Sequence, residues 1–448
     1  MKLFKNAANY RWVILAVCLF VYCTSQLVRW NYSSITKYLM DDLSIGKPEL
    51  GLLGSAFFYA YAFAQIPWGT ATDVWGARRV MPIGIGILAF FLAGFALSAT
   101  LTQAVIWRAL MGVVAAAGYV PITSVLSQWF TKKERGLAME IFSGVGGGFG
   151  EVMTFLLIPL FALLIGTGGL FGLPNWRAST VLMSFVIFAI AIGAAVFMRA
   201  PKDLDLTPVD QLEDMEQDKG KAYKDITKSM LKDPALWILS VVWSCYMVAT
   251  RLVPGWLPLF AAEYYIKESN MPAAEAMVAG GGIASMYVIG RVFGTPFFGV
   301  LSDKLLKRHI PRSVIIACGL ALIALTFYLL TLRVPNTFAF GALALFAGVV
   351  INIFPLINAT ATELWSVRTA GFANGIVNMV GQFAGAAALS ASGFMAVKFA
   401  GDAGDYHAGF YGIWYLGIAT SIFGIFATLY IIKREKQRFV AEAHSAAE

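Results

Sequence analysis

Long apolar runs, each closed by a short polar segment, follow one another along nearly the whole chain. A helix needs about twenty apolar residues to cross the hydrocarbon of a bilayer, and these runs reach that length, so helices rather than the strands of a porin-like barrel are expected. Hydropathy and turn residues together predict twelve helices, over residues 12–39, 50–71, 80–99, 103–130, 136–164, 179–198, 234–262, 274–301, 312–333, 336–364, 371–397 and 408–432. The first run continues past any small-residue cleavage site, so it reads as a spanning helix and not as a removable signal peptide.

Composition and charge sharpen this picture. Of the 448 residues, 58% are hydrophobic and 13% charged, against about 25% charged in an ordinary soluble domain. With both termini in the cytoplasm, 24 Lys and Arg fall on inside segments, six on outside segments and four within helices. Cytoplasmic loops of membrane proteins carry such an excess, which supports twelve helices in this orientation. The net charge of +8 therefore reports topology and gives no argument for a nucleic-acid partner. Cys18, Cys23, Cys245 and Cys318 lie in apolar runs without metal-ligand or redox spacing and read as small core residues.

Between Arg199 and Asp233 the chain turns charged and loses apolar periodicity. We read residues 1–199 as one six-helix bundle, 200–233 as a cytoplasmic linker, and 234–448 as a second bundle with a short cytoplasmic tail. An internal repeat supports the division. GTATD at Gly69 matches GVLSD at Gly299, an offset of 230, and ERGLAMEIFSGVGGGFG from Glu134 matches TAGFANGIVNMVGQFAG from Thr369, an offset of 235. Parallel six-helix repeats with a substrate site between them are the design of a rocking secondary transporter.

The segment GTATDVWGARR, Gly69 to Arg79, resembles the loop signature of the major facilitator superfamily, and WRALMGVVAAAG, Trp107 to Gly118, resembles its fourth-helix motif. GVLSDKLLKR is a looser copy of the loop in the second half. The resemblance implies an all-α polytopic fold of two pseudosymmetric six-helix bundles, with Gly69, Asp73, Gly76, Arg78, Arg79, Arg108 and Asp303 as gating and motif residues. Physically, Gly69 and Gly299 would let helices approach closely. Asp73 and Asp303 would hold a gate by binding an arginine or the positive end of a neighbouring helix; alternatively they only fix loop geometry, the reading favoured for Arg79, Lys304 and Lys307.

The chemistry resides in charges that the apolar pattern cannot explain. SQLVRWNYSS, from Ser25, carries Arg29 deep into a run otherwise fit for lipid. Arg29, Arg108, Arg251, Arg291 and Glu151 are the ionisable residues predicted deep in helices, and each costs roughly 3 kcal/mol or more without a partner, a wet cavity or a ligand. Four positives against one negative call for an anionic substrate, because guanidinium forks bind carboxylate, phosphate and sulfonate through paired hydrogen bonds. Arg29 and Arg251 are near-equivalent in the repeat, so pseudosymmetry predicts that both face a central cavity. Tyr22 and Gln26 share a face with Arg29 and extend the polar stripe. Arg291 is the repeat mate of Tyr61, so if Tyr61 lines the cavity Arg291 is expected to do so too; alternatively it is a packing charge near the cytoplasmic end of the eighth helix.

Glu151 is predicted about 22 Å along the fifth helix, near mid-membrane. Burial favours a neutral carboxyl and a nearby arginine an ionised one, so an arriving anion can tip the balance, as proton coupling requires. The alternative is a fixed ion pair with Arg108. The glycines preceding Glu151, from Gly144 to Gly150, form a face without side chains for close helix packing and follow no strand, so they are no phosphate cradle. His309, His407 and His444 fall in loops or the tail, and no cluster suggests a metal or cofactor. No nucleophile–base constellation points to an enzyme.

Within the superfamily, VRWNYS with Tyr22, Arg251 and the glycine-rich fifth helix are similar to the organophosphate:phosphate antiporters, whereas the segment Tyr61 to Gln65 is similar to the anion:cation symporters. Gln65 and Ser143 stand where the first family carries lysine and histidine, and Ala115 stands where the second carries an acid. The expectation is a monomeric inner-membrane carrier of a small organic anion, a carboxylate, sugar acid or sulfonate, moved with protons. Exchange of an organic phosphate for phosphate as the counter-anion, or a sensor of sugar phosphate with a transporter fold, are the alternatives.

Overall fold

The computed structural model describes residues 9–204, 230–365, 367–399 and 407–445; most of the expected linker, 205–229, lies outside the described residues. Twelve helices among them are long and apolar enough to span a membrane: α1 Tyr10–Ser34, α2 Lys47–Trp75, α3 Ala77–Ala96, α4 Leu101–Trp129, α5 Glu134–Ile165, α6 Asn175–Phe197, α7 Pro234–Glu268, α8 Ala273–Leu306, α9 Arg312–Thr331, α10 Thr337–Ala361, α11 Ala373–Lys398 and α12 Ala408–Gln437. The apolar runs predict all twelve. Four depart from the simple helix that hydropathy suggests. At Ile35, φ −123° ends α1, and the remainder of that run forms a separate helix, Thr36–Leu43.

The breaks in α4 and α10 are related by the repeat. α4 is regular to Ala115, tightens into a 3₁₀ turn at Ala116–Gly118 and resumes at Val120, with Pro121 at the start of the new segment. α10 is regular to Ile351 and resumes at Phe354, with Pro355 similarly placed. Proline has no N–H to donate and its ring crowds the carbonyl four residues back, so an apolar run containing one can span the membrane without remaining one helix. In α5 the ladder loosens into a π turn at Ile141–Gly146 before the glycine-rich segment. Such turns occur frequently at functional sites.

The chain divides into two compact units, one of residues up to Asp218 together with Ala261–Ser285, the other of Lys219–Phe260 with Met286–Glu448. The end of α7 and the start of α8 thus pack in the first unit. There Lys47 Nζ lies 3.6 Å from the Glu263 carboxylate, and Gly281 lies so near the Phe155 carbonyl that a side chain would collide.

Within each unit the repeat recurs as a packing device. A Cβ at Gly112 of α4 would strike the Phe57 carbonyl of α2, and one at Gly348 of α10 would strike the Tyr287 carbonyl of α8. Backbone-to-backbone approach of this kind gains dispersion where lipid offers no hydrophobic drive. Gly69 and Gly299, expected at close approaches, are not there: Gly69 meets only Val120 at an ordinary 3.7 Å and Gly299 meets nothing within 4 Å. Gly76 has a different reason for being glycine. Its φ of +78° turns the chain between α2 and α3, a conformation that side chains resist.

Candidate functional site

In the first unit, α1 carries the expected polar stripe. Arg29 is 9% exposed, and its guanidinium carbon lies 4.9 Å from the centre of the Tyr61 ring and 5.9 Å from that of Phe58. Its Nε is buried without an acceptor, and no carboxylate pairs with it among the described residues. Aromatic faces attract a cation by about 0.5–2 kcal/mol while leaving its N–H edges unused. The charge is therefore held in place but not neutralised. Beside it, Gln26 Nε2 donates to the Tyr22 hydroxyl at 2.6 Å, and Gln26 Oε1 is buried without a donor.

The stripe is seated by glycines and by the break in α4. A Cβ at Gly147 would lie 2.9 Å from the Tyr22 ring, and one at Gly150 would strike the Cys23 carbonyl, so the bare face of α5 admits α1. Ser25 Oγ donates to the Ala115 carbonyl at 3.1 Å, where α4 leaves its ladder. Tyr119, in that break, packs with its ring tilted 45° to that of Tyr22, centroids 5.5 Å apart. Sequence reasoning missed Tyr119 because an aromatic residue in an apolar run carries no signal until the helix around it is seen to open.

Arg108 is completely buried and contrasts with Arg29. It donates to the carbonyls of Leu53 at 3.2 Å, Val28 at 2.9 Å and Arg29 at 3.1 Å, and to Asn31 Oδ1 at 3.1 Å, with the Tyr32 and Phe57 rings each 4.7 Å away. The alternative ion pair with Glu151 does not form. The approach permitted by Gly112 delivers Arg108 to α1 and α2 instead, where its donors meet neutral oxygens. Glu151 is 2% exposed on α5, immediately after Gly150.

In the second unit, Arg251 of α7 is 5% exposed, and its Nη2 donates to Gln382 Oε1 of α11 at 2.7 Å. Gln382 Nε2 in turn donates to Asn378 Oδ1 at 3.3 Å. Asn374, Asn378 and Gln382 recur every fourth residue of α11, an amide stripe whose spacing is visible in the sequence but whose neutral side chains stand out less than the buried charges. Arg291 is half-buried, 6.0 Å from the Tyr287 ring, and its carbonyl accepts from Asn352 Nδ2 at 2.9 Å in the α10 break.

The two loop motifs differ. Asp303 accepts from Arg312, the first residue of α9, at 3.0 Å, and Arg312 also donates to Glu363 at 2.8 Å, joining α8 and α9 to the helical turn that follows α10. Asp73 is exposed and makes no ion pair among the described residues. Arg78 pairs with Asp203 at 2.8 Å, and Arg79 is exposed. Cys18, Cys23 and Cys245 are buried, but Cys318 is exposed, contrary to its reading as core, because it occupies the outer face of α9. His407, expected in a loop, lies in the turn before α12 but is only 1% exposed, beside the Phe260 ring. No group of three or more metal-ligating side chains is placed to hold an ion among the described residues.

Twelve helices, repeat-related breaks and buried guanidiniums define a polytopic transporter rather than an enzyme. The chain belongs to the Major Facilitator Superfamily, which matches residues 18–389 and 270–446. Among its relatives, "Probable sulfoacetate transporter SauU" of Cupriavidus necator is 24% identical, over 84% of each chain. "Probable hexose phosphate transport protein" of Chlamydia pneumoniae is 25% identical over 79% of this chain and 78% of that protein. The "Glycerol-3-phosphate transporter" of Haemophilus influenzae is 24% identical over 90% and 89%. The fold is shared with a solved bacterial homologue of the human lysosomal transporter Spinster, in an inward-facing conformation, at a TM-score of 0.74 and 17% identity over 95% of this chain and 97% of that one.

Because Arg108 ties α1 and α2 at the carbonyl of Arg29 itself, its removal should be felt twice. Arg108→Met orphans Asn31 Oδ1, and loss of a buried partner costs about 1–3 kcal/mol. Arg108→Lys should recover only part of this, since one ammonium cannot reproduce a planar fork spread over four acceptors. Thermal unfolding in detergent checks the prediction; an unchanged midpoint in Arg108→Met contradicts it.

Proposed function

We propose that the chain is a secondary carrier of a small organic anion, bound by Arg29 and Arg251 and moved by rocking of the two repeat halves. It would work as a monomer in the inner membrane with both termini in the cytoplasm. The observation that carries this reading is the state of Arg29: a guanidinium buried at membrane depth, aimed by aromatic faces and given no carboxylate among the described residues. A charge so placed is tolerated if a mobile anion completes it. The repeat favours a shared task for Arg29 and Arg251. Tyr22, Gln26 and Tyr61 would shape the site on the first half, and Arg291 on the second.

The relatives support the anion class, since sulfoacetate, hexose phosphate and glycerol 3-phosphate are all small, oxygen-rich anions. We favour a carboxylate or sulfonate moved with protons, because Glu151 supplies a buried carboxyl and the helix positions filled by Gln65 and Ser143 lack the extra cation a phosphate ester would use. The similarity to carriers of sugar and glycerol phosphates favours the second reading, exchange against inorganic phosphate. Asp73 and Asp303 would act at the cytoplasmic gate, together with Arg78 and Arg79 of the loop.

Proteoliposome counterflow with sulfoacetate, a sugar acid and glycerol 3-phosphate tests the carrier directly. A pure sensor gives no flux. Losing one charged partner of a buried anion costs about 2–5 kcal/mol, so Arg29→Ala and Arg251→Ala should each lose at least about thirtyfold in binding, with Arg29→Lys nearly as impaired. Near-normal uptake by Arg251→Ala removes the two-arginine reading.

Coupling is tested separately. Glu151→Gln imitates a carboxyl that never releases its proton, so substrate:substrate exchange should survive while accumulation driven by a pH gradient disappears. Exchange needs only the loaded carrier to rock, whereas net symport must also release the proton and return empty. If Glu151→Gln still concentrates substrate on a proton gradient alone, Glu151 is not the coupling group. Wild-type exchange against internal phosphate, with no response to a pH gradient, would select the antiporter reading.

A further inference from the structure

The two repeat-related arginines are furnished differently. Arg29 has ring faces and no hydrogen-bond acceptor among the described residues. Arg251 has an amide oxygen 2.7 Å from Nη2. The difference traces to the sequence: at the offset of 235, the position of Gln382 in the first half is Gly147. Glycine has no side chain to offer Arg29, and Tyr22 lies over it instead.

Helix α11 is shaped to bring Gln382 to Arg251. A Cβ at Gly381 would collide with the Trp243 ring, and one at Gly385 would lie 3.0 Å from Arg251 Cγ. Glycines four residues apart thus let α7 lie close against α11, with Trp243, Met247 and Arg251 along the seam. Gln382 is 8% exposed and spends its own N–H on Asn378, which leaves Oε1 directed at the guanidinium. A buried neutral amide is fixed where an anion's oxygen would stand.

Taking Arg251 as an anion-binding residue, we infer that Gln382 is a positioning residue that holds the Arg251 fork in the empty carrier and yields it to the incoming anion. An amide oxygen suits that task. It satisfies a buried donor, yet it carries no charge, so a carboxylate or sulfonate, which brings opposite charge and two oxygens to the fork, displaces it. A fixed carboxylate would neutralise the fork permanently, and an apolar residue would leave the empty state poorly satisfied. The empty carrier must exist for net transport, so its stability is functional.

The test uses purified full-length protein and two measurements whose orders should be opposite. Without added anion, the melting temperature should fall in the order Gln382→Glu, wild type, Gln382→Leu. With sulfoacetate or glycerol 3-phosphate as titrant, Gln382→Leu should bind at least as tightly as wild type and Gln382→Glu at least tenfold more weakly. A purely structural glutamine would not reverse the order. A tenfold or greater loss of affinity in Gln382→Leu overturns the inference, because the amide would then be a substrate contact, and so does wild-type affinity in Gln382→Glu. If Gln382→Leu does not fold, Gln382→Glu decides alone: higher melting with tenfold weaker binding supports the inference, and anything less overturns it. A wild type stabilised by neither anion removes the anion-carrier reading and this inference together, whereas a wild type that binds beside a Glu variant that binds equally removes only the placeholder.

Discussion

A guanidinium buried within a bilayer is the constraint from which the rest of this structure follows. Each such charge costs roughly 3 kcal/mol or more unless the protein or a ligand answers it. The chain answers its arginines in three ways. Arg108 has four neutral oxygens and two rings, a complete shell that welds α4 to α1 and α2. Arg251 donates to the amide oxygen of Gln382. Arg29 has, among the described residues, only aromatic faces, which fix its direction and leave its N–H edges unspent. On the proposed reading, that gradient from satisfied to open separates Arg108, which is structural, from Arg29 and Arg251, which would bind the anion.

Supplying those environments requires helices to come closer than side chains allow. Gly112 against Phe57 delivers Arg108 to its carbonyls, and Gly381 and Gly385 deliver Gln382 to Arg251. Gly147 and Gly150 seat the Tyr22–Gln26–Arg29 stripe against α5. Gly112 and Gly150 meet backbone, which cannot be repacked by rotamer change, whereas Gly147, Gly381 and Gly385 meet the side chains of Tyr22, Trp243 and Arg251. The open structure lies next to them: the π turn of α5 and the proline breaks of α4 and α10 leave helical ladders loosened beside closely packed seams.

Much of this was legible in the sequence, because the determinants of a membrane fold are linear. Twelve apolar runs, the Lys and Arg bias and the repeat at offsets of 230 and 235 required no structure. Arg29 and Glu151 stood out as charges in apolar surroundings, and both are buried. Less legible were features made by three-dimensional neighbours. That Arg108 would choose the carbonyls of Leu53, Val28 and Arg29 over Glu151 depends on where Gly112 lets α4 lie. Gln382 was passed over because an amide in an apolar helix reads as mild polarity, and its meaning comes only from the arginine opposite. Asp73 and Asp303 look alike in the sequence and both are exposed, yet among the described residues Asp303 pairs with Arg312 and Asp73 with none.

The central claim is that negative charge, and not shape, completes the site. The most direct measurement compares glycerol 3-phosphate with glycerol, and sulfoacetate with its uncharged analogue bearing a sulfonamide and a carboxamide, as titrants of the purified protein followed by thermal unfolding. Binding to the native state alone raises apparent stability by RT ln(1 + [L]/Kd). The account predicts a concentration-dependent rise in the unfolding midpoint with at least one anion, none with its neutral counterpart, and loss of that rise in Arg29→Ala. Equal responses to an anion and its neutral partner, or a full response in Arg29→Ala, would contradict it.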